Sequence, residues 1–244
     1  MARATAPPTA IGRLAHDLFD GDLADPFADE LTEWMASSPR FRAFAGAHRD
    51  KIRKKLRGAT DHEARRDVRA ELRAAHVLLA DRRIELAFES YGSTKGGPDF
   101  TVTLRGERAF NLEVTRLRRA PTVAALGGTL LAKLRQLPPS APNAVLVAID
   151  GERAETADAA GAVRALRARA GARDDAFFTG RGIEGSRGFN QRYLRLGAVV
   201  VWCEWATGEA RAALWTNRSA RIGLPERAVR ACLICLRTAP TSGS

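Results

Sequence analysis

The 244 residues are 45% hydrophobic and 27% charged, enough for one large domain or a core with an extension, and this composition excludes a disordered or fibrous chain. A formal net charge of +11 favours an anionic partner, most simply nucleic acid, although 34 of the 39 basic residues are arginines and an arginine–alanine bias is also what GC-rich coding produces. No stretch approaches the roughly 18 apolar residues of a membrane span, so no membrane association is expected.

The chain opens with helical patterns over Ile11 to Phe19, Pro26 to Met35 and Pro39 to Leu56. Asp25 is placed to cap the second, and Pro26 suits its first turn. The run Arg49 to Arg57 holds six basic residues, either a solvated face or a contact with phosphates. A longer helix is expected over Asp61 to Ala80, where Val68, Leu72, Ala75 and Leu79 form one apolar stripe with Glu71 beside it.

Three strands follow, over Ile84 to Glu89, Asp99 to Leu104 and Phe110 to Thr115, with a loop over 92–97 and a hairpin turn at Arg105 to Arg108. A helix over Pro121 to Leu137 ends at two prolines. Asn143 to Ile149 is a continuous apolar run, the pattern of a strand covered on both faces. Beyond it lie a helix near Ala157 to Ala170, a Gly/Arg-rich loop over 171–188, strands over Gly197 to Trp205 and Ala210 to Thr216, and a last helix over Pro225 to Leu236. The expected fold class is α/β, a mixed sheet flanked by helices: a helical extension over residues 1–60 and a sheet domain over 61–240.

The chemistry points to the two middle strands. Hydrolysing a phosphodiester takes a nucleophilic water and neutralisation of developing charge. Two neighbouring carboxylates can hold Mg²⁺ for both tasks, with Mn²⁺ as a substitute. Asp99 and Glu113 lie on consecutive strands, each off the apolar face of its strand. A simple two-residue hairpin centred on Gly106-Glu107 would set Asp99 opposite Val114, on the wrong face. Bringing Asp99 beside Glu113 requires an odd loop or a bulge, which Gly106 can supply.

In this order, a helix Glu71, Gly-Gly-Pro98-Asp99 opening a strand and Glu113-Val114-Thr115 closing the next resemble the core of the PD-(D/E)XK, or restriction-endonuclease-like, nucleases. The resemblance covers roughly residues 61–150. It implies a Mg²⁺-dependent nuclease in which Asp99, Glu113 and the Val114 carbonyl bind metal, and Glu71 supports a second metal or a water. It departs from the family at Thr115, where a lysine is usual. Arg116, Arg118, Lys133 and Lys95 are candidates to supply the missing charge, and Gln136 matches a glutamine that such families place on the next helix. DNA is expected before RNA, and a homodimer would match the two strands of a duplex. The rival reading is a non-catalytic nucleic-acid-binding protein of the same fold.

Gly180-Arg-Gly182-Ile-Glu-Gly185 has G-x-G-x-x-G spacing but no strand-then-helix context. It reads as a surface loop, or as one that meets phosphates through Arg173, Arg181, Arg187 and Arg192. Cys203, Cys232 and Cys235 follow no secretory signal, so a cytoplasmic protein is expected. Cys232 and Cys235 fall within a helical pattern without a second ligand pair, as buried small hydrophobes would. The four histidines stand at no ligand spacing.

Overall fold

The computed structural model describes residues 9–91, 97–150, 157–205, 207 and 209–238. The chain divides into two compact units after Ala80, rather than after residue 60, so the long helix carrying Glu71 belongs to the first.

Among the described residues the first unit holds five helices: α1 (Ala10–Leu18), α2 (Pro26–Ser37), α3 (Pro39–Ala47), α4 (Arg49–Gly58) and α5 (His62–Leu78). Short polar side chains start all but α4. Asp25 accepts from Phe27 N–H at 2.9 Å, Ser38 from Phe41 N–H at 3.2 Å and Asp61 from Ala64 N–H at 2.7 Å. The helix expected over Pro39 to Leu56 breaks at His48, whose ψ of 18° leaves the helical range. Leu31, Met35, Phe41, Ile52 and Leu72 fill the core, each burial contributing roughly 1.5–3 kcal/mol. Arg73 and His76 are buried among them, with Arg73 Nη1 2.9 Å from His76 Nδ1 and the Trp34 ring stacked on the imidazole at 5.4 Å.

The second unit is α/β, an open mixed sheet of six strands: β1 (Ile84–Phe88), β2 (Phe100–Leu104), β3 (Phe110–Arg116), β4 (Asn143–Asp150), β5 (Leu196–Glu204) and β6 (Ala210–Thr216). Spatial order follows chain order. The pairs β1–β2, β2–β3 and β5–β6 are antiparallel, and β3–β4 and β4–β5 are parallel.

The two parallel connections carry the covering helices: α6 (Val123–Leu134) between β3 and β4, then α7 (Ala159–Gly171), α8 (Asp175–Thr179) and α9 (Gly185–Tyr193) between β4 and β5. Right-handed crossovers that step in one direction place their helices on one side. Leu126, Leu130 and Leu134 of α6 and Val163 and Leu166 of α7 accordingly join Val145, Val147, Val199 and Val201 in one core. The final helix, α10 (Glu226–Arg237), packs against β6 and β2, and Trp202 Nε1, pointing to the face opposite Val201, donates to Leu236 O at 3.0 Å.

Helices α8 and α9 correct the loop expected over 171–188. Glycines and arginines suggested irregular chain there, but Phe178, Phe189 and Tyr193 are buried and stack in series. Asp174 caps α8, and the Asp175 carboxylate accepts from Ser186 N–H at 2.7 Å, tying the two helices together.

Candidate active site

The β2–β3 pairing sets the geometry of the site. Phe100 faces Leu112, Thr101 faces Asn111 and Val102 faces Phe110, one residue away from the simple hairpin register. An odd number of residues separates Val102 from Phe110. Within that connection Gly106 adopts φ +82°, closing a turn in which Glu107 N–H donates to Leu104 O at 2.8 Å. Extending this register by one residue sets Asp99 opposite Glu113. The Asp99 carboxylate is fixed there by Val114 N–H, at 2.8 Å from Oδ2. Gly97, just upstream, is required by close approach: a Cβ there would lie 2.6 Å from the Cβ of Tyr91.

Alternation along β3 puts Asn111, Glu113 and Thr115 on one face and Leu112, Val114 and Arg116 on the other. The first face continues into Val145 and Val147, which lie beneath the helices. In the other direction it continues to Thr101 and then to Ala87, which is exposed. Glu113 therefore stands where the covered half of the sheet meets the open half.

At that boundary Lys133, from the last turn of α6, brings Nζ to 2.6 Å from Glu113 Oε1. Glu113 is 2% exposed, so the ammonium offsets a charge that would be costly to bury alone. Gln136, in the turn just after α6, accepts from Lys133 Nζ at 3.4 Å. Asn111, on the Glu113 face, donates to Tyr91 Oη and to Asn143 Oδ1, both at 3.0 Å, and accepts from Thr101 at 3.2 Å. This polar row was not singled out from sequence. Its signal was the shared parity of Asn111 and Glu113 on one strand.

Of the residues named from sequence, Asp99, Glu113, Thr115, Lys133 and Gln136 gather on this face, with the Val114 backbone between the carboxylates. Arg116 lies on the opposite face and is buried. Glu71 belongs to the N-terminal unit, where its carboxylate pairs with the Lys55 ammonium. Arg118 follows β3 and is exposed. Arg181 and Arg187 are exposed in the α8–α9 region, and Lys95 lies outside the described residues.

The donors on offer for a metal are two carboxylates and a backbone carbonyl. Among the described residues no three His, Cys, Asp or Glu side chains form a cage. An all-oxygen set of this size fits Mg²⁺ or Mn²⁺, since Mg²⁺ binds through one or two carboxylates and retains several waters.

The basic excess is unevenly spread. From Asp81 onward there are 25 lysines and arginines against 16 acidic residues, compared with 14 against 12 before it. Among the described residues no helix is long and apolar enough to cross a membrane. Comparison with protein-family models, with curated proteins and with solved structures finds no match.

Proposed function

We propose that the sheet unit is a Mg²⁺-dependent nuclease of the restriction-endonuclease-like, PD-(D/E)XK type, hydrolysing phosphodiester bonds of DNA in preference to RNA. The observation that carries this reading is the ion pair of Glu113 with Lys133 on the sheet face to which the register brings Asp99.

In this reading Asp99, Glu113 and the Val114 carbonyl hold the ion. Bound there, it would neutralise charge on the phosphodiester and lower the pKa of an attacking water. Lys133 supplies the cation that this face of the strand lacks, since Thr115 stands where a lysine is usual. Its ammonium, paired with Glu113, would offer a positive charge beside the reacting phosphate. Gln136 accepts from the ammonium, and the Thr115 hydroxyl would orient a water. No step is assigned to Glu71, whose carboxylate is engaged by Lys55. The basic surplus of the sheet unit supports a polyanionic substrate.

The threonine at position 115 is the specific ground for the second reading, a non-catalytic nucleic-acid-binding protein on the same scaffold. Plasmid and single-stranded DNA cleavage in Mg²⁺ or Mn²⁺ separates the two, comparing the full chain with Asp99→Asn and Glu113→Gln. Cleavage that falls at least about a hundredfold in both variants supports the nuclease. Equal cleavage by all three proteins sinks it, and binding without cleavage at every metal concentration leaves the second reading.

A further inference from the structure

The loop after β3, the first half of α6, the middle of α7 and helix α8 enclose a groove of about 500 Å³. It lies outside the carboxyl end of β3, the side on which open α/β sheets commonly take ligands. Four of the described residues that line it are arginines, Arg118, Arg119, Arg169 and Arg181, and none is acidic.

Two of these arginines are held in place by the fold. The guanidinium carbons of Arg169 and Arg181 lie 4.2 and 3.9 Å from the centre of the Phe177 ring. Arg169 Nη1 donates to Asp174 Oδ2 at 2.6 Å, and Arg181 Nη1 donates to Phe177 O at 3.0 Å. A guanidinium carries five N–H donors. Each therefore keeps donors for a ligand while stacking fixes its position, which reduces the ordering cost of binding. On the α6 side, a Cβ added at Gly128 would meet nothing within 4 Å, so the groove is open at that point.

A concave surface with several arginines and no carboxylate lining it repels cations and suits phosphate, which guanidinium forks engage bidentately. We propose that this groove binds phosphate groups of a nucleic-acid strand, at a place separate from the Asp99–Glu113 pair. The proposal shares with the proposed function the premise that nucleic acid is the partner, but it does not depend on cleavage.

The test uses the full chain carrying Glu113→Gln, so that substrate survives, and measures anisotropy of a labelled oligonucleotide across a salt series. Arg169→Ala with Arg181→Ala removes two of the cations but also uncovers Phe177. Gly128→Glu avoids that difficulty: it places a carboxylate in open space and replaces a helix-interior glycine, so the protein should melt no lower than its parent. Gly128→Ala is the neutral control.

The expected result is roughly tenfold weaker binding for Gly128→Glu, with a salt slope lower by about one phosphate contact, and parental affinity for Gly128→Ala. Unchanged affinity and slope in Gly128→Glu overturn the proposal. ATP serves as the probe for free nucleotides. ATP binding that is lost in Gly128→Glu while oligonucleotide affinity is retained assigns the groove to free nucleotides and overturns the strand as its ligand. A parent with Glu113 intact that binds DNA but never cuts it, with Gly128→Glu still weakened, removes the nuclease reading alone.

Discussion

Lys133 Nζ lies 2.6 Å from Glu113 Oε1, so the cation beside the buried carboxylate is delivered by a helix and not by the strand that carries the acid. Under the nuclease reading, Lys133→Gln should lower metal-dependent cleavage by about 10²–10³-fold. Thr115→Lys in that background should recover at least about tenfold, because position 115 shares the face of Glu113. Turnover by Lys133→Gln equal to the parent would remove the lysine from the mechanism.

The register that aligns Asp99 with Glu113 runs through Gly106, at φ +82°. An L side chain in that region costs about 1–2 kcal/mol. Gly106→Ala should lower the free energy of unfolding by that amount in urea titrations, and Gly106→Asn by less. An alanine variant as stable as the parent would show that the turn can close in another way.

Burial, and secondarily the charge of Arg73, push the His76 imidazole down from 6.5 to about 4. The folded state therefore resists a proton that the unfolded chain accepts. Stability should be fully present above pH 6.5 and fall as pH drops from 6.5 towards 4, with a contribution of about 3 kcal/mol. His76→Gln, which can still accept from Arg73, should flatten that part of the pH profile in denaturant melts. An unchanged slope would mean that other groups set the acid limit.

Burial raises the thiol of Cys203 to about 11 and also shifts those of Cys232 and Cys235 upward. Little thiolate exists near neutral pH, so reaction with Ellman's reagent at pH 8 should wait for unfolding. A thiol titrating within seconds in the native protein would contradict this burial.

Much of the sheet was legible in the sequence because its signals are local. Strict alternation marks β2 and β3, and the unbroken apolar run over Asn143 to Ile149 marks a strand covered on both sides. The need for an irregular hairpin also followed from parity alone. What sequence did not reveal depends on contacts between distant segments. That Lys133 meets Glu113 is decided by the path of α6 across the sheet. The helices at 175–193 form because three aromatic rings stack in a core that no local pattern announces. The position of Arg169 over Phe177 joins α7 to α8, a contact that local sequence does not encode.

Helix α6 carries Gly128 at the arginine groove and Lys133 at Glu113, five residues and about 8 Å apart along one stiff rod. A rod transmits displacement along its length, and the flexible stem of Lys133 absorbs part of any slide. An occupant of the groove that shifted α6 along its axis would move the backbone from which the ammonium is carried. A lysine on the strand would have been rigidly joined to the acid it serves. Carried on a helix, it ties the charge at the carboxylate pair to the position of α6 rather than to the strand.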